Sequence, residues 1–211
     1  MKKSIYIIIA IVALLAIAIG RKNATTEPHW TKLQGSVFHT FYHITYEGAA
    51  DYSREIDSLF RAFDGSLSMF NDTSIISRMN RNDTTAVAND FVRTVFDKAM
   101  YVSARTDGAF DITVAPLVNL WGFGFKNSDN VTGEAVDSIL QFVGYQSVSM
   151  SDDGHLLKQD ARTILDASSI AKGYMSDVVA DFLIGQGVEN YMVEIGGEIA
   201  LRGHNDKGRA W

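Results

Sequence analysis

One segment divides this chain before any other reading begins. Residues 4–20, SIYIIIAIVALLAIAIG, follow Met1-Lys2-Lys3 and carry no charge. No polar stripe marks a solvent face, so the run does not read as a surface helix of a globular domain. A short basic start ahead of an apolar run has the form of an export signal. The run is long for the apolar part of a cleaved signal and slightly short for a full membrane span. Either way the remaining chain is expected outside the cytoplasm, on the periplasmic side of an inner membrane, anchored or secreted. Arg21 and Lys22 blunt the charge asymmetry that would fix orientation. Residues 1–22 are therefore expected to be a signal or membrane anchor, with the anchor preferred. Residues 23–32 read as a polar tether, and residues 33–211 as the folded part.

Composition narrows that folded part. The 211-residue chain is 46% apolar, which suits a packed domain rather than a disordered one. Its net charge is −6, and four of its 19 basic residues lie within the first 22 positions, where there is no acid. The rest holds 15 basic against 25 acidic residues, which argues against broad binding to a nucleic-acid backbone. There is no cysteine. Disulfides, a thiolate nucleophile, a thiolate metal site and lipidation at a cysteine are thereby excluded.

The periodicities alternate without a βαβ repeat. Residues 33–46 are rich in β-formers and read as a strand or a hairpin arm. Residues 51–63 place Ile56, Leu59, Phe60 and Phe63 at helical spacing. Residues 74–79 read as a helical turn or a loop. Residues 90–106 read as a helix with Asp90 as cap. Residues 109–125, AFDITVAPLVNLWGFGF, contain Pro116 and Gly-aromatic steps, and read as irregular. Residues 132–143 read as a helix. Short strands are expected at 148–150, 155–158 and 163–165. A helix is expected over 169–184, ended by Gly185 or Gly187. Strands at 191–195 and 198–202 flank a Gly196-Gly197 turn. The fold class is α+β, with a mixed or antiparallel sheet and packed helices. The last residues read as a loop leading toward another strand, so the chain is expected to be a fragment of a longer protein.

Several residues could carry chemistry. Asp166 follows an apolar strand and precedes a helix, where a carboxylate can cap backbone N–H groups or hold a cation. Ala167, Ser168 and Ser169 add hydroxyls and N–H groups suited to an anion or a metal. Lys172, one turn on, is either a phosphate contact or a solvated lysine. Asp111 lies among apolar neighbours and must be paired, by a turn or a ligand. Trp121, Phe123 and Phe125 are core or a stacking surface. Gly196-Gly197 allows a close backbone approach or simply a hairpin. The five histidines show no zinc-ligand spacing, and GxGxxG, GxxxxGK[ST] and GxSxG are all absent.

Five blocks together resemble the ApbE family of FAD:protein FMN transferases. They are GSVFHTFYHITY at 35–46, LSMFNDTSIISRMN at 67–80, DGAFDITVAPLVNLWGFG at 107–124, LDASSIAKGYMSD at 165–177 and VEIGGEI at 193–199. The resemblance implies an ApbE-like fold, incomplete here. It implies transfer of FMN from FAD to a threonine hydroxyl of a target flavoprotein, with AMP released and Mg2+ assisting. By position, Asp166 and Lys172 match residues lining the FAD site. Ala109, Phe110 and Asp111 match a segment that contacts the cofactor, and Ser169 matches the residue whose carbonyl meets the metal. Phe38 and Phe70 match a Met and a Tyr that pack near the flavin. Phe38-His39 stands where the family has Met-Gly, and Phe70 lacks the tyrosine hydroxyl. An Asp and a Thr of the family's C-terminal region, which complete its metal site, are not within these 211 residues.

Overall fold

A computed structural model describes residues 28–123 and 131–211. The expected signal or anchor, the first half of the tether (residues 23–27), and Phe125 lie outside them. Among the described residues no helix is long and apolar enough to cross a membrane.

The main sheet is antiparallel, in the order β1-β2-β5-β6. Strands β1 (Trp30–Val37) and β2 (Thr40–Glu47) form a hairpin, β2 pairs with β5 (Tyr191–Ile195), and β5 with β6 (Glu198–Arg202). The strand expected at 33–46 is thus two strands, and β1 starts at Trp30, within the segment read as tether. The turn between them is Phe38-His39, with φ of 51° and 60°. Two successive left-handed residues are what a two-residue hairpin turn needs, but Asn-Gly is its usual signature. Phe-His hides it.

Alternation along β5 buries Tyr191, Val193 and Ile195 and half-exposes Met192 and Glu194. The buried face receives α1 (Ser53–Leu67) and α6 (Ser168–Gly185). From α1, Ile56, Phe60, Phe63 and Leu67 recur at helical spacing and are all buried. At about 2 kcal/mol per buried side chain, that stripe outweighs the absence of a side-chain N-cap on α1. Helix α6 gives Met175, Val179 and Leu183 to the same core. It ends in a Schellman motif: Gly187 N–H donates to Ile184 O, and Val188 N–H to Leu183 O, with Gly187 at φ 82°. Of the two candidate glycines, Gly187 is the terminator.

Behind these helices lies α3 (Asp90–Arg105), whose Phe91 ring meets Phe63 and Tyr174 at 5.3 and 6.3 Å. Its cap is Asn89, which accepts from Val92 N–H, rather than Asp90. The short α2 (Ile75–Asn80) is capped by Ser74. The stretch read as irregular contains α4 (Ala115–Leu120), with Pro116 in its first turn, where a missing N–H costs nothing. Helix α5 (Gly133–Leu140) and the β3–β4 hairpin (Val148–Met150, Leu156–Lys158) complete the order. The strand expected at 163–165 is reduced to one parallel bridge, Ile164 to Val114.

Candidate functional site

A cavity of about 240 Å³ opens where three segments converge: the β1–β2 turn, the end of α1 with its following loop, and the first turns of α6. Each segment arrives for a local reason. Phe38 anchors the turn by sending its ring toward Phe60 and Phe63, at 5.9 and 5.6 Å. After α1, Ser74 and Ser77 hydroxyls both donate to Ser68 O, folding the loop that carries Met69 and Phe70. The Phe70 ring is 65% exposed and lies 5.2 Å from the His39 ring at the mouth of the cavity.

Lys172 supplies the cavity's cation. Its Nζ pairs with Glu198 Oε1 at 3.0 Å, and both side chains are partly exposed. A lysine ammonium has three donors, so one bond to Glu198 leaves capacity for two more. The stem is positioned by Gly196: a Cβ there would lie 2.8 Å from Thr40 Cγ2 and 3.1 Å from Lys172 Cδ and Cε. Gly196 also has φ 59°, so the close approach and the hairpin turn turn out to be one requirement. Beneath that turn, Glu194 accepts from Gly197 N–H at 2.7 Å and meets His43 Nδ1 at 2.7 Å. The His43 bond, then the Gly197 N–H, holds the Glu194 carboxyl below its ordinary value.

Asp166 is at the start of α6, where its Oδ1 accepts from Ser168 N–H at 2.8 Å. Its own N–H donates to Ile112 O at 2.7 Å, so the two blocks 107–124 and 165–177 are in direct contact. The strand end is braced from a distant part of the chain. Asn80 accepts from Leu165 N–H and donates to Leu165 O, both at 2.9 Å, and its amide also approaches Met69 Sδ at 3.7 Å. Lys158 Nζ donates to Asn80 O, Thr163 O and Ala161 O, and burial lowers its pKa. Sequence reasoning left Asn80, Lys158 and Glu198 without a role. Asn80 and Glu198 fall within matched blocks, which was the signal available.

The expected site residues divide into groups. Phe38, Phe70 and Lys172 line one cavity, and Ser168, beside Asp166, joins them. Ser169 lies on another side of α6, lining a separate hollow with Thr94, Gly173 and Asp177. Asp111 serves a turn: Oδ1 accepts from Thr113 N–H and hydroxyl at 2.7 Å each, and Oδ2 accepts from Tyr145 N–H at 2.8 Å. Phe110 packs against the core, and Ala109 is exposed next to it. None of these three residues lines the cavity, and their segment reaches the start of α6 through the Ile112–Asp166 hydrogen bond and the Val114–Ile164 bridge. Trp121 and Phe123 are 44% and 84% exposed, so they are not core.

Among the described residues, no three His, Asp or Glu side chains gather as a cation site. Hard Mg2+ favours several oxygen ligands, and Asp166 with Ser169 alone falls short of such a set. A larger cleft of about 720 Å³ lies beyond α2. Its charged groups serve one another or the backbone: Asp83, held at about 2 by Thr85 and Arg78, pairs with Arg78. Its lysine, Lys158, is committed to three backbone carbonyls.

The model of the ApbE family matches residues 38–211. The FAD:protein FMN transferase of Vibrio cholerae is 38% identical over 97% of this chain and 63% of its own length. That of Haemophilus influenzae is 33% identical over 100% of this chain and 64% of its length. The solved flavin transferase ApbE from Vibrio cholerae superposes with a TM-score of 0.81, at 37% identity, over 87% of this chain and 62% of that one. The apo flavinyl transferase ApbE of Pseudomonas stutzeri gives 0.80 at 31% identity, over 88% and 64%. The chain thus spans somewhat less than two thirds of the curated relatives it matches most fully.

Proposed function

The chain belongs to the ApbE family, and we propose on that footing that it is an FAD:protein FMN transferase. In this reading it moves FMN from FAD to a threonine hydroxyl of a target flavoprotein. The hydroxyl oxygen bonds to the FMN phosphorus as its proton passes to water, the bond from that phosphorus to the bridging oxygen breaks, and AMP leaves with that oxygen. The observation that carries the reading is the cavity that puts Lys172 and an aromatic rim on one opening, next to Asp166 at the start of α6. Lys172 neutralises negative charge as it moves onto the departing AMP. Glu198 and Gly196 keep that ammonium in place. Phe38 and Phe70 are assigned to the flavin nucleotide; the resemblance gives Ala109, Phe110 and Asp111 to the same ligand and Ser169 to the metal, but Asp111 is engaged as the latch of its turn and Ser169 faces a separate hollow, so neither is given a part in the step.

Mg2+ enters through the family resemblance. It would supply further charge neutralisation at the pyrophosphate, but the described residues do not complete a site for it, and no step is routed through it. A second reading, an FAD-binding or FAD-hydrolysing relative with no protein target, is separated from the first by its products. An exported protein, held at the periplasmic side of the membrane through residues 1–22, completes the proposal. It rests on the apolar run at 4–20.

Incubation with FAD, Mg2+ and a threonine-bearing target peptide tests the reaction. The expected products are a peptide carrying FMN, together with AMP. Free FMN and AMP without adduct would replace the transferase with a hydrolase. FAD retained without turnover would leave a binding module.

A further inference from the structure

We propose that His39 is a ligand-contacting residue of the cavity, its imidazole adjoining Phe70 to form one aromatic surface for the planar ring of a bound flavin nucleotide. The inference rests on the FAD reading above and adds to it a residue that no matched position assigns.

The turn Phe38-His39 holds two side-chain-bearing residues in the left-handed region, at φ 51° and 60°. That conformation crowds a Cβ against the backbone, and glycine is the residue that avoids the crowding. Phe38 is compensated, because its ring packs between Phe60 and Phe63. His39 is not. It is exposed, its imidazole makes no hydrogen bond among the described residues, and its ring contact is with Phe70, itself 65% exposed. The fold gains little from a histidine there that glycine would not give more cheaply.

The cavity explains the choice. His39 and Phe70 both line it, their rings inclined at 57° with centroids 5.2 Å apart. Two inclined rings at a mouth offer one guest both a face and an edge, the arrangements aromatic systems prefer. Lys172 and Ser168 line the same space and suit the anionic part of that guest. The ligand class is therefore a planar heterocycle with a phosphate tail, and His39 contributes to holding the heterocycle. Strain kept at a binding site and repaid by the ligand is a recognised pattern.

The test sets stability against binding in the full 211-residue chain. Thermal midpoint and FAD dissociation constant are measured for the parent and for His39→Gly, His39→Asn and His39→Phe. Gly and Asn both accept the left-handed conformation but lack the ring. They are expected to raise the midpoint by several degrees while weakening FAD binding about fivefold to tenfold, the loss of one aromatic contact. His39→Phe is expected to keep the parent's affinity without the gain in midpoint. A His39→Gly chain that binds FAD as tightly as the parent overturns the inference and leaves the FAD reading intact. A fall in both midpoint and affinity for Gly and Asn also overturns it, since His39 would then be structural. A parent that does not bind FAD at all removes the functional reading, and this inference with it.

Discussion

The two sides of the cavity are built differently. The floor, from Leu165 through the start of α6 to the Gly196-Gly197 turn, is cross-braced by residues distant in sequence. Asn80 closes two hydrogen bonds on Leu165, Lys158 gathers three carbonyls, and Glu198 and Gly196 fix Lys172. At the rim, Phe70 and His39 meet each other at the solvent edge, while Trp121 and Phe123 are exposed and do not line the cavity. A braced floor keeps a charged group in one geometry before any ligand arrives, which is what electrostatic stabilisation of a leaving group requires. An exposed aromatic rim gains its burial only when a ligand arrives. Substitutions in the floor should therefore cost stability, and those in the rim should cost affinity.

The sharpest break of that contrast is Asn80→Ala. It strips partners from Leu165 N–H and O at a partly buried strand end, where each unsatisfied group is expensive. A loss of about 3 kcal/mol is expected by denaturant unfolding, with weaker FAD binding as a consequence of the displaced Asp166. An unchanged unfolding midpoint would show that the brace is dispensable. Gly196→Ala comes next. The new methyl meets Thr40 and the Lys172 stem and takes a left-handed φ, for about 2 kcal/mol in the same assay. Affinity should fall with it, because Lys172 must move.

Phe70→Ala probes the other side. A ring this exposed contributes little to folding, so unfolding should shift by less than about 0.5 kcal/mol. FAD titration should nevertheless weaken several-fold. A large loss of stability with affinity preserved would invert the comparison and make Phe70 part of the fold.

Much of the scaffold was legible because burial imposes period. The stripe Ile56, Phe60, Phe63 in α1 and the alternation in β5 could be read directly, as could the hairpin around Gly196-Gly197. What escaped was whatever depended on chemistry at a single position. Phe38-His39 forms a turn that its residue types conceal. Pro116 reads as a breaker until it is seen in the first turn of α4. Asp111 could be a ligand or a latch on sequence alone, and its three accepted hydrogen bonds identify the latch. Ser169 and Lys172 are three residues apart in one block, yet α6 turns them toward different hollows. The matched blocks contribute Phe38, Phe70 and Lys172 to one cavity, and helical geometry decided which side chains of α6 share it.

The smallest expected effect lies beneath the floor, at Glu194. Its carboxyl titrates below the ordinary glutamate value because His43 and the Gly197 N–H both favour the charged form. A carboxylate depressed on folding adds stability that is present above the unfolded pKa, about 4.5, and is lost as pH falls through the lower folded value. The unfolded chain takes up the proton first, which draws the equilibrium toward it. Glu194→Gln keeps an acceptor for Gly197 but removes the charge. It should cost no more than about 0.3 kcal/mol at pH 7, and the gap from the parent should close as thermal midpoints are followed below pH 4.5. Because Glu194 underlies the turn that carries Gly196, FAD binding should follow the same acid limb. A gap that persisted unchanged at pH 3 would mean that Glu194 acts by shape rather than by charge, and that the floor is held by packing on Gly196 alone.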